Sequence, residues 1–205
     1  MNEFDLIRTY LSELSKNVRG AYNLSDDIYY DEKKKLAISI DTYVEKKHFL
    51  NFNKPDLIIK KALRSAISDL LCKGFMPKYY LVSLSGNNKH LTKKNLKKIK
   101  VSLRSEQKKY KINLVGGDTT SSNKLSITIC VFSFTNSNPI LRSTAKINDD
   151  IYVTKTLGDS FVGLKILKKN IFLNRNLAEY FIKKFFLPDL PFLFSKKLHY
   201  FANSS

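Results

Sequence analysis

Apolar residues recur along this chain at two spacings, and the changes from one to the other divide it into elements. Phe4, Ile7, Leu11 and Leu14 share one face at helical spacing, which predicts a helix over 3–15. A turn follows around Gly20 to Asn23. Leu36 to Ile40 is a short apolar run that ends abruptly at Asp41, as a strand would. Residues 46–54 make a polar loop containing His48. Pro55 then opens a helix through Leu71, and Gly74 closes it. Tyr79 to Leu84 reads as a strand, and Leu91 to Tyr110 as a lysine-rich helix. Ile112 to Val115 reads as a strand broken by Gly116 and Gly117. The longest strand is expected over Leu125 to Phe134, where β-branched and aromatic residues dominate.

Thr135 to Asn138, followed by Pro139, is polar and turn-prone, and sets a boundary between an N-terminal domain (1–138) and a partial second domain (139–205). Beyond it the pattern predicts a strand at Ile151 to Thr154 and a turn at Gly158 into a helix over Phe161 to Leu167. Two more helical stretches are expected at 174–186 and 193–203. Strands alternating with helices predict an α/β architecture, and no internal repeat interrupts it.

Composition narrows the class. With 205 residues and 43% hydrophobic content, the chain can bury a sizeable core, which excludes gross disorder. Cys72 and Cys130 lie in apolar runs without CxxC spacing and read as buried, reduced thiols, which predicts a cytoplasmic protein. No cationic stretch followed by an apolar one opens the chain, and no apolar run reaches membrane-span length, so no membrane partner is expected. The formal charge of +18, from 36 Lys and Arg against 18 Asp and Glu, favours polyanionic partners. The lysines are dispersed rather than focused, however, and read mainly as solvated surface, which makes a nucleic-acid partner the least favoured.

With so few acids, their placement is informative. Asp26 and Asp27 follow a turn, Asp41 ends the first expected strand, Asp69 lies in an apolar helical stretch, and Asp118 follows Gly116-Gly117. Carboxylates at strand ends can gather at one rim of a sheet, where they repel one another unless a hard cation such as Mg²⁺ neutralises them. Asp26, Asp27 and Asp41 also suit turns or caps. A carboxylate within an apolar run such as that of Asp69 is costly to bury unpaired. Neither GxxxxGK[ST] nor GxGxxG occurs, so any nucleotide must be held by another architecture.

In order along the chain, these motifs resemble the thiamine-monophosphate kinases. Ser25-Asp26-Asp27-Ile28 is similar to that family's Gly-Asp-Asp element, and Ile40-Asp41 with Glu45 to Phe49 to its Thr-Asp strand end and Glu-Gly-x-His-Phe loop. Lys61-Ala62-Leu63 through Ser68-Asp69-Leu70 to Pro77 follows its Ser-Asp-Leu helix. Val115-Gly116-Gly117-Asp118-Thr119-Thr120 is intact. Arg142-Ser143-Thr144-Ala145-Lys146 and Tyr152-Val153-Thr154 through Leu157-Gly158-Asp159-Ser160 complete the series, which covers about residues 20–165.

The resemblance implies the fold shared with aminoimidazole ribonucleotide synthetases: an N-terminal α/β domain that dimerises through its sheet, with a second α/β domain against it. It implies ATP and several Mg²⁺ as co-substrate and cofactor, and thiamine phosphate as acceptor. Asp27, Ser39, Asp41, Asp69 and Asp118 would be magnesium ligands. Gly117, Asp118 and Arg142 would contact ATP, and His48 would contact thiamine phosphate. The γ-phosphate would pass in line to thiamine phosphate with no covalent enzyme intermediate, so no side chain acts as a nucleophile.

The chain departs from the family pattern at Ser25, Ile40 and Lys46, where the family has Gly, Thr and Gly. Ser25 fits only if its backbone avoids positive φ. Phe201 to Ser205 resembles the approach to the family's Met-Asp-Ile-Ser-Asp-Gly motif, which predicts a truncated enzyme with little activity of its own. A non-catalytic relic of the family is the alternative.

Overall fold

The computed structural model describes residues 1–205. Five strands form one mixed sheet: β1 (Tyr29–Asp31), β2 (Leu36–Val44), β3 (Tyr79–Ser85), β4 (Asn113–Thr120) and β5 (Ser126–Phe134). Their order is β1-β2-β5-β3-β4. Only β3 and β4 are parallel, and a helix, α3 (Lys93–Tyr110), joins them as a parallel pair requires. Thr92 caps that helix by accepting the Asn95 N–H.

One face of the sheet carries the core. Ala37 and Ser39 of β2, Tyr80 and Val82 of β3, and Ile127, Ile129 and Val131 of β5 are buried there beneath α2 (Pro55–Cys72). α2 is apolar nearly all round, with Ile58, Ile59, Leu63, Ile67, Leu70 and Leu71 all buried. Such a helix belongs inside a protein rather than on its surface, and its outer side is indeed covered. There α5 (Arg175–Phe186) buries Phe185 and Phe186, and Lys61 lies 3.4 Å from the centre of the Phe185 ring. Burial pulls the Lys61 ammonium down to about 8. Arg64 holds Glu106 of α3 through two hydrogen bonds of 2.8 and 3.0 Å and donates a third, of 3.1 Å, to the Pro188 carbonyl. α4 (Asp159–Leu167) crosses α5 at Gly163, where any Cβ would strike the Phe181 carbonyl oxygen.

The opposite face of the sheet has no helix on it. Ile38, Phe132 and Tyr79 lie side by side there by register, and Ile40 and Phe134 are 65% and 55% exposed. No helix of the chain is long and apolar enough to cross a membrane.

Several sequence expectations change. The helix over 3–15 forms, but its winding shifts from α (α1, Glu3–Leu6) to a wide π turn and then a tight 3-10 turn. Its apolar side packs on little, leaving Phe4 and Leu14 75% and 81% exposed. β2 does not end at Asp41; it runs on to Val44 because β5 supplies a pairing partner for each residue. β4 continues through Gly116 and Gly117, because the glycines let that strand lie close against β3. Ile151 to Thr154 is not a strand: no edge of the sheet pairs with it, and Ile151 and Tyr152 stay exposed. The helix over 193–203 is reduced to α6 (Phe192–Ser195) and a separate 3-10 turn at Leu198–Tyr200. Cys72 and Cys130 are unpaired as expected, but half-buried.

Candidate functional site

The open edge of β2 beyond β1 meets the end of α2, the 24–27 loop and Arg142 around a cavity of about 730 Å³. Alternation along β2 puts Ser39 and Asp41 on the same face as α2, and Asp69 on that helix faces them. The Ser39 hydroxyl, itself 2% exposed, donates to Asp69 Oδ2 at 2.8 Å. Asp26, Asp27, Asp41 and Asp69 line the cavity together with Arg142 and Ile40.

The electrostatics of this cluster are unfavourable as it stands. Burial pushes the Asp69 carboxyl up to about 7; the Ser39 hydrogen bond works against this, and the charges of Asp41 and Asp27 add to it. Arg142 compensates Asp27, its Nη2 lying 2.8 Å from Asp27 Oδ2. Carboxylates beside a hydroxyl, one of them held partly protonated for want of a counter-charge, are the donors that a hard divalent cation prefers. No three acidic, histidine or cysteine side chains converge on one point.

The expected residues are therefore only partly gathered. Ser39, Asp27, Asp41, Asp69 and Arg142 share the cavity rim or its support. Asp118 does not join them. It pairs with Ser83 of β3, which alternates with the buried Val82 and Leu84, so its position belongs to the uncovered face of the sheet. Three strand spacings separate β4 from β2, about 14 Å. The reason is the path of β4 through Gly116 and Gly117. Val115 is bulged out between the Leu114 and Gly116 pairings, and a Cβ on Gly117 would overlap the Val82 carbonyl oxygen. His48 is exposed in the loop after β2; its Nδ1 accepts the Val44 N–H at 3.0 Å and its ring sits 5.1 Å from that of Tyr43. It does not line the cavity.

The departures are accommodated in different ways. Ser25 has φ −96, so the missing glycine costs nothing there. Lys46 keeps the left-handed conformation, φ 65, at a strain of roughly 1 kcal/mol. Ile40 lies at the cavity rim where the family pattern has a hydroxyl.

Residues 24–135 match the family model described as AIR synthase related protein, N-terminal domain. That stretch is more than half of the chain and contains all of the acids just described. The chain belongs to the AIR synthase-related family. Its curated relatives include the thiamine-monophosphate kinase of Buchnera aphidicola subsp. Acyrthosiphon pisum, 38% identical over 195 residues, covering 91% of this chain and 58% of the relative. That of Escherichia coli strain K12 is 34% identical over 209 residues, covering 99% and 63%. This member thus spans about three-fifths of the length of those relatives. Among solved structures, thiamine monophosphate kinase from Aquifex aeolicus matches with a TM-score of 0.82 at 24% identity, over all of this chain and 68% of that one. A structure described as AaThiL complexed with AMPPCP and TMP matches with a TM-score of 0.85 at 25% identity, over all of this chain and 66% of that one.

One residue of the site escaped sequence reasoning. Lys73 is entirely buried at the end of α2 and pairs with Asp26 at 3.0 Å. Among 36 basic residues it carries no pattern that would single it out.

Proposed function

We propose that this chain forms the nucleotide and metal half of an enzyme that phosphorylates thiamine phosphate to thiamine diphosphate at the expense of ATP. The observation that carries the reading is the acid cluster under-compensated by Arg142, with Asp69 held up to about 7, in a member of a family whose relatives here are named thiamine-monophosphate kinases. The structure described with AMPPCP and TMP supports the same substrates.

In this reading Asp27, Asp41 and Asp69 hold Mg²⁺, with Ser39 fixing the Asp69 carboxylate. Bound magnesium would supply charge neutralisation for the phosphates. Arg142, now paired with Asp27, would pair with phosphate oxygens, which suit its forked geometry. His48 contacts the acceptor from the loop after β2. Residues 1–138 and 139–205 act as two units, the first supplying metal ligands and the second supplying Arg142.

A homodimer fits the uncovered sheet face. A second copy packed there would cover Ile38, Phe132 and Tyr79. It would also let Asp118, on that face, serve with Gly117 as a metal and ATP ligand in the site of the other copy.

The test is nucleotide binding by this chain, measured by calorimetry with a non-hydrolysable ATP analogue, alongside an assay for thiamine diphosphate formation. Binding is expected to require Mg²⁺ and to be lost in Asp41→Asn. Binding that is indifferent to both Mg²⁺ and Asp41 would defeat the reading.

A further inference from the structure

Lys73 follows the last turn of α2, and its side chain is 0% exposed. A buried ammonium is costly unless oxygens surround it. Its Nζ meets Asp26 Oδ1 at 3.0 Å, the Ser205 main-chain oxygen at 3.0 Å and the Ser205 hydroxyl at 3.4 Å. The Asp26 carboxylate, with only 3% of its side chain exposed, accepts from the backbone as well. Oδ1 also accepts the Asp27 N–H at 2.8 Å, and Oδ2 accepts the Arg142 N–H at 3.0 Å. One carboxylate thus grips the backbones of the two residues whose side chains meet across the cavity rim.

We propose that Lys73 is a positioning residue for the acid cluster: its buried ammonium fixes Asp26, and Asp26 sets where Asp27 and Arg142 stand toward a divalent cation. This rests on the metal reading given above. The chain of contacts joins three segments distant in sequence: the 24–27 loop, the end of α2, and residues 140–142. Lys73 strengthens that junction through its own carbonyl, which accepts the Ile140 N–H at 3.5 Å.

The role has a sign that simple electrostatics does not share. A positive charge beside an acid cluster opposes cation binding, so a Lys73 that acted only through its charge would, when removed, tighten the site. A positioning Lys73 would, when removed, loosen it. The experiment titrates Mn²⁺, as a spectroscopic stand-in for Mg²⁺, into the full chain and follows free Mn²⁺ by electron paramagnetic resonance. Lys73→Met is expected to weaken Mn²⁺ binding tenfold or more, and Lys73→Arg to stay within about threefold of the parent. The double variant Lys73→Met with Asp26→Ala buries no unpaired charge, so it should fold even where the single variant does not, and it should bind Mn²⁺ as weakly as Lys73→Met. Folded Lys73→Met or double variant binding Mn²⁺ as tightly as the parent, or more tightly, overturns the proposal while leaving the metal reading intact. A parent chain that binds no Mn²⁺ overturns the metal reading, and this proposal with it.

Discussion

Arg142 reaches Asp27 with its Nη2 2.8 Å from Oδ2, so a guanidinium holds the carboxylate proposed above as a metal ligand. The pair is partly open to solvent, the two side chains being 51% and 30% exposed. Pairs of this kind contribute about 1 kcal/mol or less to stability. Arg142→Ala should therefore leave thermal unfolding almost unchanged. It should weaken binding of the Mg²⁺ complex of an ATP analogue by roughly 10- to 100-fold, since charge-assisted contacts to phosphate are worth about 1.5–3 kcal/mol. Calorimetry beside melting curves separates the two effects. Equal affinity in both proteins would mean that Arg142 does not touch phosphate.

Asp69 makes the site costly to the fold. Its carboxyl stands at about 7 in the folded chain against 3.8 for the free group. Between those values the folded state binds more protons than the unfolded one, so its contribution to stability falls as pH rises from about 4 to about 7. Asp69→Asn removes that penalty. Relative to the parent it should be no more stable at pH 4, gain progressively across that window, and level off above pH 7 at a gain on the order of 4 kcal/mol. Urea unfolding at several pH values gives the curve. A gain that is flat with pH would show that Asp69 is not held protonated in the fold.

Gly117 permits the close approach of β4 to β3. A Cβ there would overlap the Val82 carbonyl oxygen, and the backbone angle, φ 156, is one that other residues rarely adopt. Gly117→Ala should destabilise the chain by about 3 kcal/mol or more through strain and lost pairing at that edge. Amide exchange should be fastest in β4 and the adjoining part of β3, and unchanged in α2. A melting temperature equal to the parent's would contradict the strand geometry.

Phe132 is central on the uncovered face, between Ile38 and Tyr79. If that face pairs with a second copy, Phe132→Lys buries two ammonium groups near the two-fold axis and should abolish the dimer. The monomer should keep its circular dichroism, because the core lies on the other face of the sheet. Sedimentation equilibrium distinguishes the cases. A parent chain that remains monomeric at high concentration would remove the face from consideration as an interface.

Some of this could be read from the chain alone because the signals are local. Pro55 opens α2 and Gly74 follows its end, and apolar residues recur from Ile58 to Leu71, so the central helix follows from backbone and solvent preferences within a few residues. The alternation in Ser126 to Phe134 likewise fixes which residues of β5 share a face. The motif order placed Asp27, Asp41, Asp69 and Arg142 as candidates, and they do meet at one cavity.

What the sequence by itself determined, then, is the identity of the elements and of the acids; their sidedness and supports came only with tertiary structure. Asp118 looked like a fourth member of the cluster because it follows a strand and two glycines. Its face depends on the bulge at Val115 and on Gly117 lying against Val82, a contact between residues far apart in the chain. The exposed flank of the helical segment at Phe4 and Leu14, and the unpaired stretch at Ile151, show the same limit: periodicity states which residues seek a partner, not whether one is present. Lys73 is the clearest case. In sequence it is one basic residue among many, and only the fold removes it from water and sets the Asp26 carboxylate 3.0 Å away, where its charge must be matched.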